Sequence, residues 1–205
     1  MTVISPSILS SDFSNLEREI RSLDEAGADW IHIDVMDGNF VPNLTIGAPV
    51  IKALRPHTRL PFDVHLMIRD PLFYVPDFLK AGADILTFHL ESDCDPDEVI
   101  TAITKENTCQ AAVSIKPDTP AHCVYPYLKR LKMVLVMSVE PGFGGQKFQM
   151  SCLDKIHDIR EKAKEVNPSL LIQVDGGIDE KTIALCAEKG ANAFAVGSTV
   201  FRAPD

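Results

Sequence analysis

One phrase occurs three times in this chain: Glu25-Ala26-Gly27-Ala28-Asp29, Lys80-Ala81-Gly82-Ala83-Asp84 and Glu188-Lys189-Gly190-Ala191-Asn192. Each copy follows a helix-like stretch and precedes an apolar run. A glycine at that place suits the left-handed residue that closes a helix, so the phrase marks helix-to-strand junctions. Reading outward from the junctions gives eight β-rich runs, at 3–9, 30–35, 62–67, 85–89, 111–115, 133–139, 170–174 and 193–196. Several are apolar at nearly every position, the pattern of parallel strands covered on both faces. Helix patterns lie between them at 13–26 (capped by Asp12 or Ser14), 71–81, 95–105 and 152–166. Strict alternation without an internal linker implies one α/β domain over residues 1–205. Eight units favour a closed (β/α)8 TIM barrel over an open doubly wound sheet, and no G-x-G-x-x-G follows the first run. After the eighth run only about a turn of sequence remains, so the barrel is expected to lack most of its final helix.

Composition narrows the class. The chain is 45% hydrophobic and 24% charged, enough apolar content for one well-buried core. No apolar run approaches the roughly 20 residues of a membrane helix, and the first residues carry no export signal pattern. Five scattered cysteines without a Cys-x-x-Cys favour reduced thiols and a cytoplasmic home. A net charge of −9 argues against nucleic acid and anionic membranes as partners.

In a barrel of this kind the active site lies at the C-terminal ends of the strands. Polar residues collect there: Ser7, His32 and Asp34, His65, His89 and Glu91, Lys116, Glu140, Asp175, and Gly197-Ser198. His32 and Asp34 are two apart on one strand and project together. Alone, they make either half a metal site or a base with its orienting partner. Together with His65 and Asp175, on two further strands, they supply two imidazoles and two carboxylates. That set suits zinc, iron(II), manganese or cobalt. Glycine clusters follow strands six, seven and eight: Gly142-Phe143-Gly144-Gly145, Gly176-Gly177 and Gly197-Ser198. Backbone N–H groups there can wrap an anion, and loops after strands seven and eight are the usual phosphate seat of the fold. Such capture needs few basic side chains, which reconciles an acidic protein with an anionic ligand. Met36, Met67 and Met137 lie at strand ends, as core filling or as a soft, water-excluding wall beside a metal.

Asp34 and Asp175 lie three strands apart in a ring of eight and are expected to face each other across much of the mouth. A metal between them would polarise a carbonyl, while one Asp removes a proton and the other returns one to the opposite face. The product of such a reaction is an inverted carbon, with the substrate's phosphate held in the glycine loops.

At this point long motifs add to the reading. Ser5-Pro6-Ser7-Ile8-Leu9-Ser10-Ser11-Asp12-Phe13, HIDVMDGNFVPN (32–43), Asp63-Val64-His65-Leu66-Met67, VMSVEPGFGGQKF (136–148) and VDGGI (174–178) resemble the ribulose-phosphate 3-epimerase family over nearly the whole chain. The resemblance implies a TIM barrel that interconverts D-ribulose 5-phosphate and D-xylulose 5-phosphate in the pentose phosphate pathway. It implies one divalent metal on His32, Asp34, His65 and Asp175, with Asp34 and Asp175 as the acid/base pair. Ser7 and His65 would contact substrate, Gly142, Phe143, Gly144, Gly145, Gly176, Gly177, Gly197 and Ser198 would hold its phosphate end, and the three methionines would pack around the enediolate. Asp37 takes a supporting role. A homo-oligomer, dimer or larger ring, is implied as well.

Three rivals stand beside this reading. An allulose 6-phosphate 3-epimerase would share the mechanism. A metal-free sugar-phosphate lyase would use an Asp-x-Lys-x-x-Asp set, but Met36 stands where its lysine belongs, and a Schiff-base variant would have only Lys116 to use. An inactive barrel that merely binds ligand would not require the complete set of catalytic groups.

Overall fold

The computed structural model describes residues 2–202. Strands and helices alternate along the chain: β1 (Val3–Pro6), α1 (Leu16–Glu25), β2 (Ile31–Met36), α2 (Ala48–Leu54), β3 (Phe62–Met67), α3 (Pro71–Ala81), β4 (Ile85–His89) and α4 (Pro96–Thr104). There follow β5 (Gln110–Ile115), a 3₁₀ stretch at Ala121–Arg130, β6 (Met133–Met137), α5 (Cys152–Val166), β7 (Leu171–Asp175), α6 (Glu180–Glu188), β8 (Ala193–Val196) and α7 (Ser198–Phe201). All eight strands belong to one sheet in the order β1-β8-β7-β6-β5-β4-β3-β2, and each neighbouring pair is parallel. The ends of that strip meet through a parallel bridge between Ser7 and His32, which closes the TIM barrel the alternation predicts.

Local chemistry moves some boundaries. The first strand stops at Pro6, three residues early, because the Ser7 hydroxyl accepts the Leu9 N–H and starts a 3₁₀ turn. The helix expected over 13–26 begins with a 3₁₀ turn at Phe13–Asn15, where the Asp12 carboxylate accepts the Ser14 N–H at 2.9 Å. Asp12, rather than Ser14, is therefore the cap. The sixth strand ends at Met137, where the Ser138 N–H makes the last ladder bond, to the Asp175 carbonyl. A four-residue helix follows β8, and residues 203–205 of the expected short tail lie outside the described ones.

The thrice-repeated phrase has one structure. Gly27, Gly82 and Gly190 all adopt positive φ (82°, 96° and 106°), and the following alanine amide reaches back five residues, as in a Schellman ending. The last residue of each copy then clasps the preceding strand. Asp29 donates its N–H to the Ile4 carbonyl and accepts the Ile4 N–H on its carboxylate. Asp84 does the same with Phe62, and Asn192 with Ile172 through its amide oxygen. Each strand start thus gains partners for backbone groups that would otherwise be stranded at the barrel's rim.

Alternation along each strand sorts side chains into two layers. Ile31, Ile33 and Val35 of β2 and Phe62, Val64 and Leu66 of β3 join the large apolar layer between sheet and helices. The intervening residues fill the barrel. At its N-terminal end Val3, Ile85, Ala112, Met133 and Ala193 pack into a separate apolar plug. Above the plug the filling turns polar: Ser5, Asp63, Thr87, Ser114 and Gln173 are all fully buried.

Candidate metal centre and active-site cavity

The centre rests on that polar layer. Asp63 accepts hydrogen bonds on one oxygen from Ser5 Oγ at 3.1 Å and Gln173 Nε2 at 2.6 Å, and the same oxygen lies 2.7 Å from His32 Nδ1. An ionised carboxylate only accepts, so Nδ1 of His32 carries a hydrogen and Nε2 is left to present a lone pair to a cation. Without one, burial disfavours the imidazolium, but the Asp34 and Asp63 carboxylates outweigh it and push the imidazole well above its usual range. That Nε2 is buried with no hydrogen-bond partner. It faces Asp34 Oδ1 at 3.3 Å and Asp175 Oδ2 at 3.9 Å. His65 Nδ1 faces the same two oxygens at 3.1 and 3.8 Å. One donor atom from each of His32, Asp34, His65 and Asp175 lies within 4.8 Å of all the others. An orphaned imidazole nitrogen aimed at two carboxylate oxygens is the arrangement a divalent cation would complete, and the nitrogen–oxygen donor set fits one.

The four residues converge from β2, β3 and β7. Asp34 and Asp175 were expected to oppose each other across much of the mouth, yet their donor oxygens stand no more than 4.8 Å apart. The two strands between them, β1 and β8, and the residue after β1 point Ser5, Ser7 and Ala195 inward above the Val3–Ala193 level of the plug. These small side chains leave room for both carboxylates to lean together. Ser7 Oγ donates to Asp34 Oδ2 at 2.6 Å and fixes its orientation. Burial pushes the Asp34 carboxyl up, but the imidazoles of His32 and His65 more than reverse it and hold it well below the usual range. Burial and the neighbouring Asp34 charge push Asp175 up to about 6.

Above the centre opens a cavity of about 460 Å³, a volume typical of small-molecule sites. Of the residues the sequence singles out, Ser7, Asp34, Met36, Met67, Met137 and Asp175 line its base. Gly142, Phe143, Gly144, Gly145, Gly176, Gly177, Gly197 and Ser198 line its walls. His32 and His65 lie beneath, fully buried. Gly177 shows why glycine is required: its φ is +59°, and a Cβ there would stand 2.6 Å from the Phe148 backbone nitrogen. Gln146 straps the β6 loop by donating from Nε2 to the carbonyls of Glu140 (2.6 Å) and Phe143 (2.8 Å). Lys147 is the only basic residue in the lining among the described residues.

Three residues in the strand-end tally fall elsewhere. Lys116 is absent from the cavity lining; its ammonium sits 4.1 Å from the centre of the Phe40 ring. His89 and Glu91 sit beside the centre instead of in the cavity. Nε2 of His89 lies 2.9 Å from Nε2 of His65, and Glu91 Oε2 lies 3.2 Å from Nδ1 of His89. Burial pushes the His89 imidazole down to about 4 despite the pull of Glu91. Burial raises Glu91, yet hydrogen bonds from His89, Thr119 and the Lys116 amide bring it to about 2. Asp37 pins the loop after β2: its carboxylate accepts the N–H groups of Asn39, Phe40 and Arg69. Sequence reasoning gave no role to Asp63, Gln173 or Ser5. The available signal was their spacing, two residues before His65, Asp175 and Ser7 on the same inward faces.

Fold and site together define a class: a (β/α)8 barrel whose mouth holds a mixed imidazole–carboxylate centre beneath a glycine-walled cavity. The chain belongs to the ribulose-phosphate 3 epimerase family, whose profile matches residues 3–201. It is 48% identical over 206 residues to the ribulose-phosphate 3-epimerase of Bacillus subtilis (strain 168), covering 100% of this chain and 94% of the relative. It is 46% identical over 205 residues to the cytoplasmic isoform of ribulose-phosphate 3-epimerase of Oryza sativa subsp. japonica, covering 98% and 88%. Among solved structures, a mutant tryptophan synthase alpha-subunit from Pyrococcus furiosus matches with a TM-score of 0.71 at 15% identity, covering 98% of this chain and 89% of that one. That likeness concerns the fold alone. No helix among the described residues is long and apolar enough to cross a membrane.

Proposed function

We propose that the chain is a metal-dependent epimerase, a single TIM-barrel domain over residues 1–205 that inverts carbon 3 of a ketose phosphate. Its reaction is the interconversion of D-ribulose 5-phosphate and D-xylulose 5-phosphate, a step of the pentose phosphate pathway. The observation that carries this reading is the pairing of Asp34 and Asp175 at one centre from strands three places apart in the barrel. Two carboxylates arriving from different strands can meet the two faces of one carbon. A division of labour follows from their placement: one of the pair starts the turnover ionised and the other protonated. The ionised partner takes the proton from carbon 3, leaving a planar enediolate, and the protonated partner delivers its own proton to the opposite face. The reverse reaction exchanges the roles.

A divalent cation on His32 Nε2, Asp34, His65 Nδ1 and Asp175 would act as a Lewis acid, favouring the negative charge that grows on the substrate oxygens. The Ser7 hydroxyl aligns Asp34 and meets the sugar at the base of the cavity. His65, expected to touch substrate as well, is fully buried beneath it with both ring nitrogens engaged and serves the ion alone. Met36, Met67 and Met137 supply a low-polarity wall that keeps water from the reacting carbon. The phosphate lies against the backbone N–H groups of the Gly142–Gly145, Gly176-Gly177 and Gly197-Ser198 turns. The ion is zinc, iron(II), manganese or cobalt. Five free thiols support a cytoplasmic location, and the family resemblance supports a homo-oligomer.

Protein purified without oxygen, analysed for metal and assayed side by side on ribulose 5-phosphate and allulose 6-phosphate, tests the reading. The pentose phosphate is turned over faster, chelation abolishes the activity, and one added divalent metal restores it. Turnover of the six-carbon substrate alone would overturn the substrate assignment. Full activity in metal-free protein would overturn the metal.

A further inference from the structure

The two imidazoles of the centre are backed differently. His32 leans on the carboxylate of Asp63 directly. His65 leans on a second imidazole, His89, which in turn leans on Glu91. The row Asp34–His65–His89–Glu91 therefore has a carboxylate at each end and two fully buried rings between them. His65 and His89 stack with centroids 5.0 Å apart, and Phe40 covers the outer ring at 4.8 Å.

Counting protons fixes the direction of this row. Two neutral imidazoles carry two N–H hydrogens on four nitrogens. The contact between the two Nε2 atoms needs one of them. The other goes to His89 Nδ1, facing Glu91, or to His65 Nδ1, facing Asp34. At the end without it, a nitrogen lone pair confronts a carboxylate, which is tolerable only with a cation between them. Glu91 has no room for a cation: its Oε1 already accepts the Lys116 N–H at 2.8 Å and the Thr119 hydroxyl. The Asp34 end does, because Asp175 and the orphaned His32 Nε2 gather there as well.

We propose that Glu91 and His89 are positioning residues that set the tautomer of His65, drawing its hydrogen to Nε2 so that Nδ1 faces the centre as a lone pair. The inference rests on the metal reading above. It assigns to Glu91, whose nearest contact with the centre is through two rings, control over the centre's affinity for its ion. Outer partners of this kind commonly hold 10- to 100-fold in metal affinity, on the order found when they are removed.

Glu91→Gln makes the sharpest variant. The Lys116 N–H requires an acceptor at Oε1, so the new amide nitrogen must face His89 Nδ1. It donates there, reverses both imidazoles and presents an N–H to the centre. His89→Leu removes the link, whereas His89→Gln keeps both an acceptor for His65 and a donor for Glu91. Cobalt(II) titrated into stripped protein and followed by its visible absorption reads affinity and ligand geometry together. Glu91→Gln and His89→Leu bind about 10- to 100-fold more weakly with an altered spectrum, and His89→Gln recovers most of the loss. In zinc-loaded wild-type protein, ¹⁵N chemical shifts of the histidine rings place the hydrogen on Nδ1 of His89 and on Nε2 of His65, a readout that survives even if a variant fails to fold. A hydrogen on Nε2 of His89, or wild-type cobalt affinity in Glu91→Gln, overturns the inference alone. Wild-type protein that takes no cobalt overturns the metal reading and this inference together.

Discussion

The two ends of the barrel interior are built by the same strand alternation and come out opposite in chemistry. At the N-terminal end, Val3, Ile85, Ala112, Met133 and Ala193 close the lumen with apolar side chains that need no partners. At the C-terminal end Asp34, His65 and Asp175 crowd three ionisable groups into the same cross-section, with His65 Nδ1 3.1 Å from Asp34 and 3.8 Å from Asp175. Burial stabilises the first set without condition. It disfavours charge in the second unless carboxylate, imidazole and cation balance one another. The plug therefore carries stability and the mouth carries chemistry, and substitutions at the two ends should fail in different ways.

The largest effect belongs to the mouth. Asp34→Asn and Asp175→Asn each lower turnover by about 10²- to 10⁴-fold, the usual contribution of a positioned acid or base. Both variants keep the fold, read by circular dichroism, since the amide is the same size, although each gives up one ligand of the proposed ion; full activity in either would break the two-base scheme. Met133→Ala, in the plug, gives the reverse outcome. It costs about 2–5 kcal/mol in denaturant unfolding through the cavity it opens, while the remaining folded protein keeps its kcat and KM. Asn192→Ala sharpens the contrast at the rim. Loss of the acceptor for the Ile172 N–H costs about 1–3 kcal/mol with no effect on the kinetic constants; a changed KM would show that the rim and the mouth are coupled.

Much of this was legible in sequence, for reasons that differ by feature. Strand-helix alternation and the closing glycines are local signals, and they led to the barrel. His32, Asp34, His65 and Asp175 were legible because a parallel barrel gathers all strand ends at one mouth, so position along a strand translates into position in space. What lies one layer down was not legible. Gln173 reaches Asp63 across 110 residues of sequence; spacing puts both on inward faces one layer below the centre, but the pairing of the two side chains depends on strand stagger, which spacing does not give. His89 and Glu91 were visible as polar strand-end residues, but their relation to His65 is a matter of ring orientation, which composition and periodicity do not encode. The early end of β1 was missed for a simpler reason: the β-rich run at 3–9 has apolar pairs at both ends and reads as strand throughout, while a single hydroxyl at Ser7 turns the backbone away.

The clasp made by Asp29, Asp84 and Asn192 joins β1 to β2, β3 to β4 and β7 to β8. At the matching place between β5 and β6, Lys132 donates its N–H to the Ala111 carbonyl at 2.9 Å but has no acceptor side chain to return the bond. The barrel thus repeats by strand pair, in quarters, and three of its four quarters are locked on themselves. Circular permutation should respect that grain. New termini opened between quarters, in the connections after β2, β4 or β6, leave every lock intact, whereas termini opened inside a quarter make its two strands find each other from opposite ends of the chain.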